Sequence, residues 1–248
     1  DVEIKLGAGS YLCGEELTML ESLEGKRGHP RIKPPFPAEK GLFGMPTLVN
    51  NVETLANIPA IVRHGKEWYL GFGTKRSPCT KIFAISGQVN RPGCYEVELG
   101  TTLRQLIDDL AGGICEGKKF KAALLGGAAG TFVDGSMLDE KMTYDNLREK
   151  GATLGSGAVI VMTQEDSVYD VLYNCLRFFK HESCGKCVPC RVGTALLVKG
   201  IEKLKTGADQ GQTATEAFDN GSYRTDTSVS SKTGLLDKMV RESELMAA

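Results

Sequence analysis

Three cysteines within seven residues carry the clearest chemistry in this sequence. The run Glu182-Ser183-Cys184-Gly185-Lys186-Cys187-Val188-Pro189-Cys190-Arg191 sets Cys184, Cys187 and Cys190 at C-x2-C-x2-C spacing, with which a tight loop can wrap three corners of a 4Fe-4S cubane. Gly185 and Pro189 predict turns rather than helix here, and Lys186 and Arg191 offset part of the negative charge of a thiolate-bound cluster. The competing reading is a structural zinc site with His181 as fourth ligand, a Cys3His set. Zinc loops usually pair two distant C-x2-C units, so iron–sulfur is the expectation. A four-iron cluster needs four ligands, and no cysteine follows Cys190; a ferredoxin run would place the fourth where Thr194 stands. That leaves a remote cysteine such as Cys175, a partner chain, or sequence beyond this chain.

A second candidate is Gly7-Ala8-Gly9-Ser10-Tyr11-Leu12-Cys13-Gly14-Glu15-Glu16, a glycine-rich turn running into an acidic pair. Bare backbone of this kind can approach a nucleotide closely, although the order is not that of a dinucleotide fingerprint. Glu15 and Glu16 either favour a helix N-terminus or accept ribose hydroxyls, in which case they repel a 2′-phosphate and select NAD over NADP. Asn50 and Asn51 offer amides to a flavin or phosphate, or simply cap a helix. Phe36, set among prolines, suits stacking on an aromatic ring as well as a place in the core. No Ser-His-Asp constellation occurs, and the three histidines, His29, His64 and His181, supply hydrolytic chemistry poorly.

The elements that must position these groups follow from periodicity. A short helix is predicted over Glu15–Leu23, extended chain over Pro30–Pro37, and a helix over Asn51–Arg63 that Pro59 interrupts or kinks. From Lys81 the pattern turns to short strands at 82–85, 94–99, 122–125 and 158–162. One helix with Thr101 or Thr102 as N-cap, apolar at Leu103, Leu106, Ile107 and Leu110 and stopped by Gly112-Gly113, lies between them. This order suggests a small α+β unit of β-grasp type. A helix capped by Asp166 or Ser167 leads into the cysteine loop, and another runs from Val192 to Lys205. Residues 206–248 read as a polar linker or tail, with a short amphipathic stretch at Leu235–Met246.

Composition bounds the rest. With 248 residues, 41% hydrophobic, the chain can build one large domain or two to three small ones. A formal net charge of -1 provides no broad field for nucleic acid or an anionic membrane, so function must lie in local sites. No apolar run approaches a membrane span and the first residues lack signal-peptide features, which predicts a cytoplasmic or matrix protein. Outside the loop, Cys13, Cys79, Cys94, Cys115 and Cys175 are scattered and are expected to be small buried hydrophobes in a reducing compartment.

Five segments in order carry a resemblance: the glycine-rich start, Glu21-Ser22-Leu23-Glu24-Gly25-Lys26-Arg27-Gly28, Lys33-Pro34-Pro35-Phe36-Pro37, Val49-Asn50-Asn51-Val52-Glu53-Thr54 and the cysteine loop. Together they closely resemble the NADH-binding flavoprotein (51 kDa-type) subunit of respiratory NADH:quinone oxidoreductase, a module that recurs in NAD-linked hydrogenases and formate dehydrogenases. The likeness covers about residues 1–205. It implies a fold of α/β and α+β type: part of an FMN/NADH-binding domain at 1–79, a soluble-ligand-binding β-grasp domain at 80–163 and a helical 4Fe-4S domain at 164–205. It implies hydride transfer from NADH to FMN and single-electron steps to the cluster, the cofactor doing the organic chemistry. By matching position, Glu15 stands near nicotinamide and flavin; Glu16, Lys33 and Phe36 hold NADH; Gly14, Asn50 and Asn51 contact the flavin, with Tyr11 in the same pocket. Cys184, Cys187 and Cys190 match three cluster ligands. Implied partners are a 2Fe-2S thioredoxin-like subunit and hydrogenase, formate dehydrogenase or quinone-reductase subunits, the last placing the protein at the inner membrane's periphery. The family also carries a further glycine-rich segment upstream and a fourth cluster cysteine after the second helix, neither of which this sequence contains. A non-catalytic electron-transfer module without flavin is the alternative, and a zinc scaffold ranks third.

Overall fold

The computed structural model describes residues 2–115 and 117–206; the tail predicted at 206–248 lies outside them except for Thr206, which ends a helix. Its contacts divide the chain into two units, one joining the segment through Val49 with that from Tyr169 onward, the other comprising Asn50–Val168.

In the second unit, two-residue alternation makes β1 (Thr80–Gly87), turning Lys81, Phe83 and Ile85 to the core and Ile82, Ala84 and Ser86 away. It pairs antiparallel with β2 (Gly93–Glu98), Phe83 opposite Tyr95, and parallel with β5 (Ala158–Thr163). Next come β3 (Phe120–Leu125) and β4 (Thr131–Val133), giving the order β2-β1-β5-β3-β4. Beyond β2, Thr102 and Gln105 form a reciprocal capping box that starts α5 (Leu103–Gln105). The chain then widens into one π-helical turn, Leu106–Leu110, before Gly112 and Gly113, both left-handed, end it. Leu103, Leu106 and Ile107 are fully buried against Phe83, Ile85, Ala123, Leu125, Val159 and Val161. At about 1.5–3 kcal/mol for each large apolar side chain, this contact makes a helix on a mixed sheet the stable layer arrangement. The expected β-grasp architecture is present.

The unit opens on two further helices, α3 (Val52–His64) and α4 (Lys66–Leu70). Pro59 does not interrupt α3, which forgoes one backbone bond and continues to His64. Periodicity also missed β4, too short to alternate, and α6 (Tyr144–Glu149), whose N-cap Thr143 accepts from Asn146 N–H.

The first unit contains a 3-10 turn at Tyr11–Gly14, α1 (Glu16–Leu23), α2 (Pro37–Lys40), α7 (Val168–Glu182) and α8 (Val188–Thr206). Leu176 on α7 packs with Leu197, Val198 and Ile201 on α8, so the cysteine loop joins two antiparallel helices at one end. Two boundaries need correction. Helix α8 begins at Val188, not Val192, because the first turn of a helix tolerates Pro189. For the same reason Pro37 opens α2 instead of ending the extended stretch. Of the two residues expected to cap α7, Ser167 is the one directly before Val168, while the Asp166 carboxylate accepts from Thr163 N–H and from Gln88 and so closes the turn after β5. Of the scattered cysteines only Cys79 is buried, and Cys94 is exposed on β2.

Candidate functional site

The loop between α7 and α8 is short and internally bonded. Ser183 N–H continues the α7 ladder to Phe179 (3.0 Å), and Ser183 Oγ then accepts from Gly185 N–H (3.2 Å). Gly185 holds φ at 74°, a left-handed turn that a side chain would strain. On the far side, Arg191 in the first turn of α8 folds back to donate to the carbonyls of Gly185 and Lys186. Lys186 reaches the Pro30 carbonyl at 2.6 Å. Both cations expected to balance cluster charge are thus also structural ties.

All three loop thiols are free, Cys184 half-buried and Cys187 and Cys190 exposed. Among the described residues no three His, Cys, Asp or Glu side chains gather closely enough to share one metal ion. Zinc asks for four donors within about 2.0–2.3 Å of a single point. His181 does not turn to the thiols: it is exposed, with Nδ1 3.2 Å from Glu182 Oε1. A cubane instead takes each thiolate at a different iron, so its ligands stand further apart. Three thiols free of disulfides, that of Cys190 3.3 Å from Ser183 Oγ, on a loop with one left-handed glycine fit three corners of such a cluster. Neither Thr194, which stands where a ferredoxin run has its fourth cysteine, nor Cys175 fits as the fourth ligand. Thr194 is buried and its hydroxyl donates to the Cys190 carbonyl at 2.7 Å, inside α8. Cys175 lies two turns back along α7, about 10 Å of helix axis from the loop at about 1.5 Å per residue. Burial pushes its thiol pKa up, away from thiolate.

The glycine-rich start is fastened to this loop. Tyr11 N–H donates to Glu182 Oε2 (3.1 Å), and the Tyr11 ring meets Phe178 edge-on with centroids 4.8 Å apart. Arg27 Nη2 donates to the Cys184 carbonyl at 3.1 Å. With the Lys186 to Pro30 bond, these contacts join segments more than 150 residues apart in sequence. Each is worth only about 0.5–1.5 kcal/mol, but three directional bonds fix one register. Sequence reading missed Glu182 and Arg27, because nothing in their spacing announces a long-range partner.

Within the start, Gly14 ends the 3-10 turn, and no atom lies within 4 Å of the Cβ positions of Gly7, Gly9 and Gly14. This open backbone fits the approach of a planar cofactor. Glu15 is the N-cap of α1, accepting from Thr18 N–H (2.8 Å) and Thr18 Oγ1 (2.9 Å) through Oε2. Partial burial pushes its carboxyl up, but the Thr18 bonds outweigh this and hold it below the usual range. Glu16 pairs with Lys33, which holds that ammonium above its ordinary pKa. Tyr11, Gly14, Glu15, Glu16 and Lys33 are therefore brought together. Phe36, half-exposed, is the N-cap residue of α2. Asn50 and Asn51 belong to the other unit; Asn50 is exposed and the Asn51 side chain accepts from Glu53 N–H at 2.8 Å.

Residues 1–60 match the Nuo51 FMN-binding domain, 82–137 the SLBB domain, and 170–228 the NADH-ubiquinone oxidoreductase-F iron-sulfur binding region. The chain belongs to the family of 51 kDa-type subunits. It is 47% identical over 206 residues to an F-type NADH-quinone oxidoreductase subunit of Rhizobium meliloti (strain 1021), covering 83% of this chain and 49% of that protein. NADP-reducing hydrogenase subunit HndC of Solidesulfovibrio fructosivorans is 44% identical over 207 residues, covering 84% and 42% respectively. Among solved structures, the NAD+-reducing [NiFe]-hydrogenase in its H2-reduced state superposes with a TM-score of 0.80 at 35% identity, over 99% of this chain and 38% of that one. Its air-oxidised state gives 0.76 at 40% identity, over 83% and 35%. The chain thus spans about half the length, or less, of the curated relatives it matches.

Proposed function

We propose that this chain serves as part of an NADH dehydrogenase (diaphorase) module in a multi-subunit redox complex. The observation that carries the reading is the fastening of the glycine-rich, acidic segment to the cysteine loop within one unit, through Tyr11, Arg27, Glu182 and Lys186. A nucleotide pocket and an iron-binding loop held in one register suit electron transfer between them.

Bound FMN would supply a hydride acceptor that releases electrons singly, and a 4Fe-4S cluster the relay. The chain's own contribution is placement. Gly14 leaves backbone open to the flavin, and Tyr11 flanks it. Glu15, held in place by its capping bonds, stands beside the nicotinamide. Glu16 and Lys33 orient NADH as a pair, and Phe36 stacks on its adenine. Asn50 and Asn51, at the approach to α3, would offer amides to a flavin. Cys184, Cys187 and Cys190 would hold the cluster through their thiolates. A carboxylate of this segment beside the adenosine ribose would favour NAD over NADP by repelling a 2′-phosphate. The functional division is 1–79 for nucleotide and flavin, 80–163 for the β-grasp domain and 164–205 for the cluster, with 206–248 as a tail.

Electrons would leave to a 2Fe-2S thioredoxin-like subunit and then to hydrogenase, formate dehydrogenase or quinone-reductase subunits. No described helix is long and apolar enough to cross a membrane, and we place the module in the cytoplasm or against the inner membrane through its partners. Dye reduction by NADH in the assembled complex tests the reading. Glu16→Ala or Phe36→Ala is expected to raise KM for NADH and lower kcat; unchanged turnover and affinity in both would remove the site assignment. Iron without flavin in the native assembly would point to the non-catalytic electron-transfer module.

A further inference from the structure

A lysine stands where the sheet calls for an apolar side chain. Lys81 shares the inward face of β1 with Phe83 and Ile85, and its side chain is only 5% exposed. Its stem crosses Gly157, where an added Cβ would lie 3.1 Å from Lys81 Cε and 2.5 Å from the Ile82 carbonyl. The ammonium ends 2.8 Å from Glu53 Oε2, near the Tyr144 ring. The other oxygen of Glu53 accepts from Ile82 N–H at 3.3 Å. Both carboxylate oxygens of Glu53 therefore face the start of β1. A buried charge held this way is strongly paired, and removing one partner strands the other.

Glu53 is the second residue of α3, and its own N–H is capped by Asn51. One turn on, Asn57 donates to the Glu53 carbonyl and accepts from the buried Cys79 thiol at 3.4 Å. The helix has no buried residue; its part-buried positions are Glu53, Asn57, Ala60 and Ile61, while Val52, Leu55, Ile58 and Val62 are exposed. Helices ordinarily dock by an apolar stripe. The N-terminal turn of this one is held by polar anchors instead, with Asn51 as its cap and Asn50 directly before it.

We propose that the Lys81–Glu53 pair is a strut that sets where Asn50 and Asn51 stand, which makes Lys81 a positioning residue for flavin binding. The strut is read from the structure, and its link to flavin rests on the function proposed above. The test uses the native flavin-loaded assembly carrying Lys81→Met, with Lys81→Arg as the conservative variant. Glu53→Gln serves as a second lesion, since it keeps the shape and an acceptor for Ile82 N–H while removing the charge. Hydrogen exchange at the amides of residues 52–57 is expected to quicken roughly tenfold in K81M and E53Q. FMN is expected to dissociate roughly tenfold more readily, with both effects largely reversed in K81R. Unchanged exchange in K81M and E53Q overturns the strut, whatever the flavin does. Faster exchange with unaltered FMN release overturns the positioning role. A wild-type assembly that contains no FMN defeats the underlying functional reading, and the exchange data then still decide whether the strut exists.

Discussion

The two units are held together by different forces. The sheet unit rests on a continuous apolar core in which Leu103, Leu106 and Ile107 are wholly buried. The unit bearing the cysteine loop has a small helical core of Leu176, Leu197, Val198 and Ile201, and its functional end is tied by exposed hydrogen bonds. Burial fixes a shape robustly but is indifferent to a few tenths of an ångström at the surface. Directional polar ties contribute less each, yet they fix the register of a loop that must present thiols. Scaffold and site are thus built by distinct means, and the contrast can be broken from either side.

The largest effect is expected in the sheet unit. Leu106→Ala removes a fully buried side chain from the π-helical turn and should cost about 2–5 kcal/mol, read by chemical denaturation of that unit's transition. Thr102→Ala removes the capping box of α5 and should cost about 0.5–2 kcal/mol by the same measurement. In the other unit, Glu182→Ala deletes the tie to Tyr11 N–H. We expect about 0.5–1.5 kcal/mol of stability to go, with faster exchange at Tyr11 but no change in the sheet unit's transition. Should Glu182→Ala destabilise the chain as severely as Leu106→Ala, the distinction between the two units fails.

A pH experiment sharpens the comparison further. Bonds from Lys26, Arg31 and Phe43 N–H hold the Glu24 carboxyl at about 2, against an ordinary value of 4.5. A carboxyl depressed on folding stabilises the native state fully above its unfolded value, and that contribution is lost as pH falls through the folded one. Acid should therefore weaken the first unit between pH 4.5 and about 2, and Glu24→Gln should flatten that slope. An identical slope in the variant would mean the ion-pair network around Arg31 does not operate in solution.

Much of this was legible in the sequence, and the reason is periodicity and spacing. Strands β1, β2, β3 and β5 and the helix after Thr102 announced themselves by alternation and by a cap with an apolar face. The cysteine loop announced itself by ligand spacing, which is local by nature. Lys81 was invisible, because a lysine inside a strand pattern reads as a solvent-facing residue until Glu53 is seen opposite it. Arg27 and Glu182 were missed for the same reason: their partners lie more than 150 residues away. Pro189 misled because its meaning depends on its place within the turn, and it occupies the one helical turn that accepts it.

The central claim is that electrons from NADH reach iron held by Cys184, Cys187 and Cys190. Low-temperature electron paramagnetic resonance of the native assembly, reduced with NADH, tests it most directly when wild type is compared with Cys187→Ser. The account predicts a reduced 4Fe-4S signal in wild type that is lost or altered in the variant, while NADH still bleaches flavin absorbance in both. An unaltered iron–sulfur spectrum in Cys187→Ser, or zinc in place of iron at this loop, would contradict it.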